Sequence, residues 1–161
     1  MKIEINNIYG NKIATVNGQT LRAGIEKLVK NNINLKYAHL AGANLEGVNL
    51  EGVNLSDANL ENANLRGANL RGANLVNTIL QGVNLIDTDL KDLYLENANL
   101  RYAILVNATL ENANLRGANL RGANLEGANL RGANLEGANL EGANLWCANL
   151  EGANIKDIYL K

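Results

Sequence analysis

The sequence predicts an all-β solenoid of square cross-section, led by a short hairpin and helix. Three observations carry that prediction. A five-residue repeat runs without slip from residue 33 to the end, each repeat alternates small residue, Asn and Leu, and the exposed charges cancel best at a spacing of 20 residues.

The repeat is plainest at 116–145, which reads RGANLRGANLEGANLRGANLEGANLEGANL. Leu recurs at every fifth position from Leu35 to Leu160, 26 positions in all, with Ile155 the single substitute. Two residues before each Leu stands a small or apolar residue, such as Ala43, Val48, Val53, Ala118 or Ala123. The slot immediately before Leu holds Asn in 19 of 26 repeats. Two residues after Leu, Gly fills 13 of 25 slots, Asn five and Asp four.

Ala, Leu, Glu and Arg all favour helix, yet the spacing does not. Five residues at about 100° each advance about 500°, so the leucines would spiral around a helix and form no stripe. The Asn and Gly of each repeat would also cost roughly 1.5 kcal/mol relative to Ala. In extended chain, Ala and Leu point one way and Asn the other. The next inward residue is three positions on, so a corner must separate successive repeats. Its second residue is usually Gly, Asn or Asp, the types that accept the positive φ of a type II turn. Tyr37, Tyr102 and Cys147 occupy the same slot and suit positive φ poorly, so a different turn is expected there.

The residue after each Leu is exposed and often charged. In a stacked coil, equivalent residues lie about 4.8 Å apart and like charges repel. At a spacing of 20, charged pairs are opposite in ten cases and alike in two; at 15 the split is four to seven, and at 25 seven to five. Four repeats per coil therefore fits best, which makes the cross-section a square.

The repeat resembles the A(D/N)LXX unit of the pentapeptide-repeat family over residues 33–160. That resemblance implies a right-handed quadrilateral parallel β-helix. Twenty-six repeats at four per coil give about 6.5 coils, a rod of roughly 31 Å at one strand spacing per coil.

Residues 1–32 read differently and form the expected cap on residues 33–161. Lys2–Ile5 and Lys12–Val16 alternate around turn-forming Asn6–Asn11, a β-hairpin pattern. Asn17-Gly18 reads as a second turn. Thr20 is a suitable N-cap for a helix to about Asn31, with Leu21, Ile25, Leu28 and Val29 on one face. Such a lead-in covers the apolar end of the first coil. His39, the one histidine, falls in an outward slot and reads as a solvated surface residue.

Between Val76 and Val106 the pattern loosens. Outward positions take Val76, Ile79, Ile86, Tyr94, Tyr102, Ile104 and Val106, and inward slots take Thr78, Thr88 and Leu93. At four repeats per coil, Ile86 and Val106 share a column flanked by Ile104, and Trp146 lies two coils further on with Glu126 between. Single exposed apolar residues are ordinary, which favours drift on a tolerant surface. The alternative is a protein-binding patch of Ile86, Ile104, Val106 and Trp146.

The chain finishes as Ile155-Lys-Asp-Ile-Tyr-Leu-Lys161, with no helix to cover the last coil. Exposed strand ends invite pairing. Ile158 and Tyr159 are expected to plug the end in part, with Lys156, Asp157 and Lys161 opposing fibre growth. The other expectation is a homodimer joined end to end through Ile155, Ile158, Tyr159 and Leu160.

Composition narrows the function. Net charge is −1, from 15 basic and 16 acidic residues, and the signs alternate, which gives no ground for direct nucleic-acid binding. The one cysteine, Cys147, excludes an internal disulfide and fits a reducing, cytoplasmic compartment. No apolar run is long enough for a membrane span or signal segment. One His, one Cys and one Ser leave no nucleophile constellation, the glycines mark corners and open no helix toward a phosphate, and the few Asp residues do not recur as a calcium repeat would need. The Thr ladder of a flat ice-binding face is missing too. The expectation is a non-enzymatic bacterial or phage scaffold, without cofactor, metal or small-molecule substrate, that engages an unidentified protein.

The resemblance also implies a runner-up, because some family members mimic duplex DNA and bind type II topoisomerases such as gyrase. Such a mimic wants about one negative charge per 1.7 Å of rod. Here Arg66, Arg71, Arg116, Arg121 and Arg131 stand where carboxylates would be needed, and the Phe often seen at such centres is missing.

Overall fold

The computed structural model describes residues 2–17 and 20–160. Strand β1 (Lys2–Asn6) pairs antiparallel with β2 (Lys12–Asn17), and helix α1 (Leu21–Lys30) follows. The expected Asn17-Gly18 turn lies outside the described residues. Thr20 caps α1 by accepting the Ala23 amide at 3.2 Å, and Ile25 and Leu28 are its buried residues besides Gly24. Leu21 and Val29 pack partly buried against the same core.

From residue 35 onward the chain winds with four repeats per coil. Each outward slot bridges in parallel to the residue 20 further on, from His39–Asn59 to Asn139–Tyr159. Three backbone bonds recur per repeat. The Leu40 amide donates forward to the Asn59 carbonyl at 2.8 Å, the Asn59 amide back to the Ala38 carbonyl at 2.9 Å, and the Gly42 amide forward to the Glu61 carbonyl at 2.8 Å. The leucines from Leu35 to Leu140 are all buried, none more than 4 % exposed. Thr78 and Thr88 replace inward Ala without an orphaned hydroxyl, since each donates to a Leu carbonyl of the preceding coil, Leu55 and Leu65, at 3.0 Å.

Every corner from residue 37 to residue 157 has positive φ at its second residue. The amide closing each corner bonds the preceding Leu carbonyl, as Ala43 does to Leu40 at 3.1 Å, except at the corners leading into Leu93 and Ile158. Tyr37, Tyr102 and Cys147 do not adopt the different turn expected of them; their φ values are 62°, 57° and 56°. Stacking overrides side-chain preference. The Tyr37 and Tyr102 amides are held at 3.0 Å by carbonyls of the next coil, Ser56 and Arg121, and Ala148 closes the Cys147 corner onto Leu145 at 3.0 Å.

The cap meets the first coil through hydrogen bonds as well as apolar packing. The hairpin register shifts between Ile5 and Asn6, and the chain beyond pairs with the coil as an antiparallel Asn7–Ala38 bridge. Ile8 donates to Tyr37, and His39, exposed as expected, donates to Asn6. At the other end nothing covers the last coil among the described residues. Leu145 and Leu150 are only partly buried, and Ile155 and Leu160 are more than half exposed. Tyr159 does not plug this end: it occupies an outward slot, bridged to Asn139, and is 64 % exposed, whereas Ile158 alone packs against the core.

Candidate functional site

The outward Asn residues do more than alternate. The Asn84 side-chain oxygen accepts the Ile86 amide at 3.1 Å, and the same contact recurs along the rod, from Asn34–Lys36 to Asn154–Lys156. Asn thus satisfies an amide at the corner that the coil ladder leaves free, a local Asx turn. Ile79, Tyr94 and Ile104 lack such an oxygen, so each forgoes a bond worth about 1 kcal/mol while exposing apolar surface.

One face joins Ile104 to apolar residues at its bordering corner. Asn64, Asn84, Ile104, Asn124 and Asn144 bridge in succession along its middle. One bordering corner runs Glu61, Gln81, Arg101, Arg121, Glu141, and the other Arg66, Ile86, Val106, Glu126, Trp146, each step fixed by a corner amide-to-carbonyl bond of 2.8–3.1 Å. Ile86, Ile104 and Val106 therefore come together, with Ile104 exposed and the other two half-buried. Trp146 does not join them: Glu126 intervenes, and the indole stands 68 % exposed on the last coil. Val76 and Tyr94 lie toward the opposite corner.

Two residues extend the band beyond the sequence-predicted patch. Tyr102 sits at the corner before Ile104 and is 51 % exposed; its ring lies where a side chain at Gly122 would be. Ile79 lies on the adjoining face one coil back, bridged to Asn99, the outward residue that precedes that corner. Both follow from the 20-residue register once adjoining faces are compared as well as single columns. The Arg101 guanidinium lies 5.3 Å from the Tyr102 ring centre and reaches its hydroxyl at 3.5 Å. That hydrogen bond and the charges of Arg101 and Arg121 lower the Tyr102 pKa.

Elsewhere the corner charges neutralise one another as the 20-residue spacing predicts. Lys91–Glu111 closes to 2.9 Å, Arg121–Glu141 to 3.4 Å and Arg131–Glu111 to 3.9 Å. Their mutual hydrogen bond raises the Lys91 pKa and lowers that of Glu111. Among the described residues, no group of three His, Cys, Asp or Glu side chains could hold a metal ion, and no helix is long and apolar enough to cross a membrane.

A family model described as pentapeptide repeats matches residues 31–67, 54–92, 94–132 and 118–157, in eight copies. The chain belongs to the pentapeptide-repeat family. Pentapeptide-repeat proteins fold as right-handed quadrilateral β-helices, and the coil of four repeats described above matches their square section. Among solved structures, the chain is similar to a pentapeptide repeat protein of the Arabidopsis thaliana thylakoid lumen, at 30% identity and a TM-score of 0.58, covering 60% of this chain and 67% of that one. It is similar also to QnrB1, a plasmid-mediated fluoroquinolone resistance protein, at 20% identity and a TM-score of 0.56, covering 76% and 77%. HetL, a pentapeptide repeat protein involved in heterocyst differentiation regulation in the cyanobacterium Nostoc, is 33% identical over 79% of this chain and 76% of its own, with a TM-score of 0.40. Comparison with curated protein sequences returns no match.

Proposed function

We propose that this pentapeptide-repeat protein is a non-enzymatic, cytoplasmic scaffold that binds another protein through the band formed by Ile104, Ile86, Val106, Tyr102 and Ile79. The observation that carries this reading is Ile104: it stands where the repeat places Asn, forgoes the Asx hydrogen bond, and adjoins two further apolar positions. Apolar side chains gathered at neighbouring surface positions are a usual mark of a protein interface. The test is capture from the native host with Ile104→Lys and Ile86→Lys as controls. A partner held by the parent and lost by folded variants supports the reading; equal capture by all three rejects it.

We propose further that two copies associate through the last coil. The amides of Leu145 and Leu150 and the carbonyls of Ala143 and Ala148 have no backbone partner among the described residues. In each pair the groups flank an outward Asn, the arrangement that an antiparallel bridge to a twofold-related copy would satisfy reciprocally. Exposed Ile155 and Leu160 and partly buried Ile158 supply apolar area. A monomer mass at micromolar concentration would remove this proposal.

The likeness to QnrB1 concerns the fold, and the surface supplies little for a DNA mimic. Carboxylates alternate with Arg and Lys down the corner columns, as in Lys91, Glu111 and Arg131. Inhibition of gyrase supercoiling at low micromolar protein would raise a topoisomerase partner from runner-up to first place.

A further inference from the structure

We infer that the band binds an acidic, apolar protein segment, whose carboxylate pairs with Arg101 while its apolar side chains cover Ile104 and Ile79. The inference rests on the protein-binding reading above and adds the chemistry of the partner.

Two arginines of the solenoid, Arg66 and Arg101, have no carboxylate within ion-pair distance among the described residues, and both border the band. Arg66 occupies the corner column immediately before Ile86. Arg101 stands at the other corner, beside Tyr102. The guanidinium of Arg101 is held by weak contacts only: Tyr102 at 3.5 Å and the ring face, with its buried Nε lacking any acceptor. Its neighbour in the column is Arg121, a like charge about one strand spacing away. Arg121 is itself paired with Glu141, so the excess positive charge is centred on Arg101. A planar guanidinium without an internal carboxylate, flanked by a phenol hydroxyl, suits an incoming carboxylate that can accept from both.

The surroundings select a short acidic segment over a polyanion. Glu61 and Glu141 lie in the same corner column, and Glu126 lies beyond Val106 in the other. A phosphate backbone tracking the face would meet these carboxylates in succession. A single Asp or Glu at Arg101 would not, and its apolar neighbours would find Ile104 on one side of the corner and Ile79 on the other, 38 % and 40 % exposed.

The test uses an array of ten-residue peptides that combine Leu, Ile or Phe with either Asp and Glu or Lys and Arg, probed with the full chain alongside a labelled duplex DNA. Acidic–apolar peptides should bind, should bind at least tenfold more weakly to Arg101→Gln, and should weaken in high salt. Arg101→Lys should recover part of the loss, because charge remains but the planar fork does not. Equal binding of basic peptides, preference for the duplex, or an unchanged Arg101→Gln profile would overturn the inference. Host-partner capture lost in Ile104→Lys but kept in Arg101→Gln would leave the protein-binding reading standing and overturn this one alone.

Discussion

The Arg22 guanidinium donates to the main-chain carbonyl of Glu46 at 3.1 Å, a carbonyl that in any later coil would accept an amide from the coil before it. One helical turn on, Glu26 accepts the Asn49 amide at 3.4 Å, again in place of a missing coil, and holds Arg22 at 3.1 Å. Two side chains of α1 therefore imitate a strand edge. Arg22→Ala and Glu26→Ala should each lower stability by about 1 kcal/mol. Glu26→Gln keeps an acceptor and should lose less. Urea denaturation of the three variants measures the difference.

Gly24 of α1 packs directly against Val16 of β2. A Cβ built there would meet Val16 Cγ2, a contact no packed side chain tolerates. Gly24→Ala should cost roughly 1–3 kcal/mol by overpacking, despite alanine's better helix propensity. Adding Val16→Ala should recover part of that loss, and a double-mutant cycle by thermal unfolding would show the coupling.

At Gly127 the backbone φ is 66°, and a Cβ would crowd the Asn107 side-chain oxygen. Gly127→Val should cost about 1–3 kcal/mol, since a β-branched residue is strained there. Gly127→Asn should cost much less, because Asn holds the same conformation at residues 62, 77, 97, 107 and 112. Parallel denaturation curves separate the two.

Leu125 is 1 % exposed in the middle of the rod. Leu125→Ala should lose about 2–5 kcal/mol, and Leu125→Lys should prevent folding by burying an unpaired charge. A cooperative melt for Leu125→Lys near that of the parent would contradict the inward stacking of the leucines.

Tyr102 should ionise below the ordinary tyrosine range, because Arg101 donates to its oxygen and Arg121 adds positive charge. A phenol whose pKa falls on folding contributes stability that is fully present above its unfolded pKa. That contribution is lost as pH falls through the lower folded value. Absorbance titration of the phenolate, with Tyr102→Phe as the difference, should isolate this group, and Arg101→Gln should shift its midpoint upward.

The solenoid was legible because one rule repeats: inward Leu, outward Asn and a positive-φ corner each leave a mark on the same five positions. The square section was legible through Lys91, Glu111 and Arg131, whose alternating signs pair once they stack in one column. Tyr37, Tyr102 and Cys147 misled because residue preference is local, while their turns are held by the coils around them. The band was half legible. Ile86, Ile104 and Val106 share adjoining columns, but Tyr102 and Ile79 join them around a corner, which single-column arithmetic does not follow. The cap's hydrogen bonds left no mark, since Arg22 and Glu26 look like any surface pair at helical spacing.

The strict 20-residue bridging separates length from azimuth. Deleting or inserting one repeat would turn everything beyond it by about a quarter revolution, carrying Arg121 and Trp146 onto different sides of the rod while leaving each repeat's own geometry intact. Deleting or inserting four would keep every later side chain at its angular position and move it by about 4.8 Å along the axis. Surface groups on such a rod can thus be respaced without being reoriented, and an indel whose length is not a multiple of five would do neither cleanly, because it breaks the inward register itself.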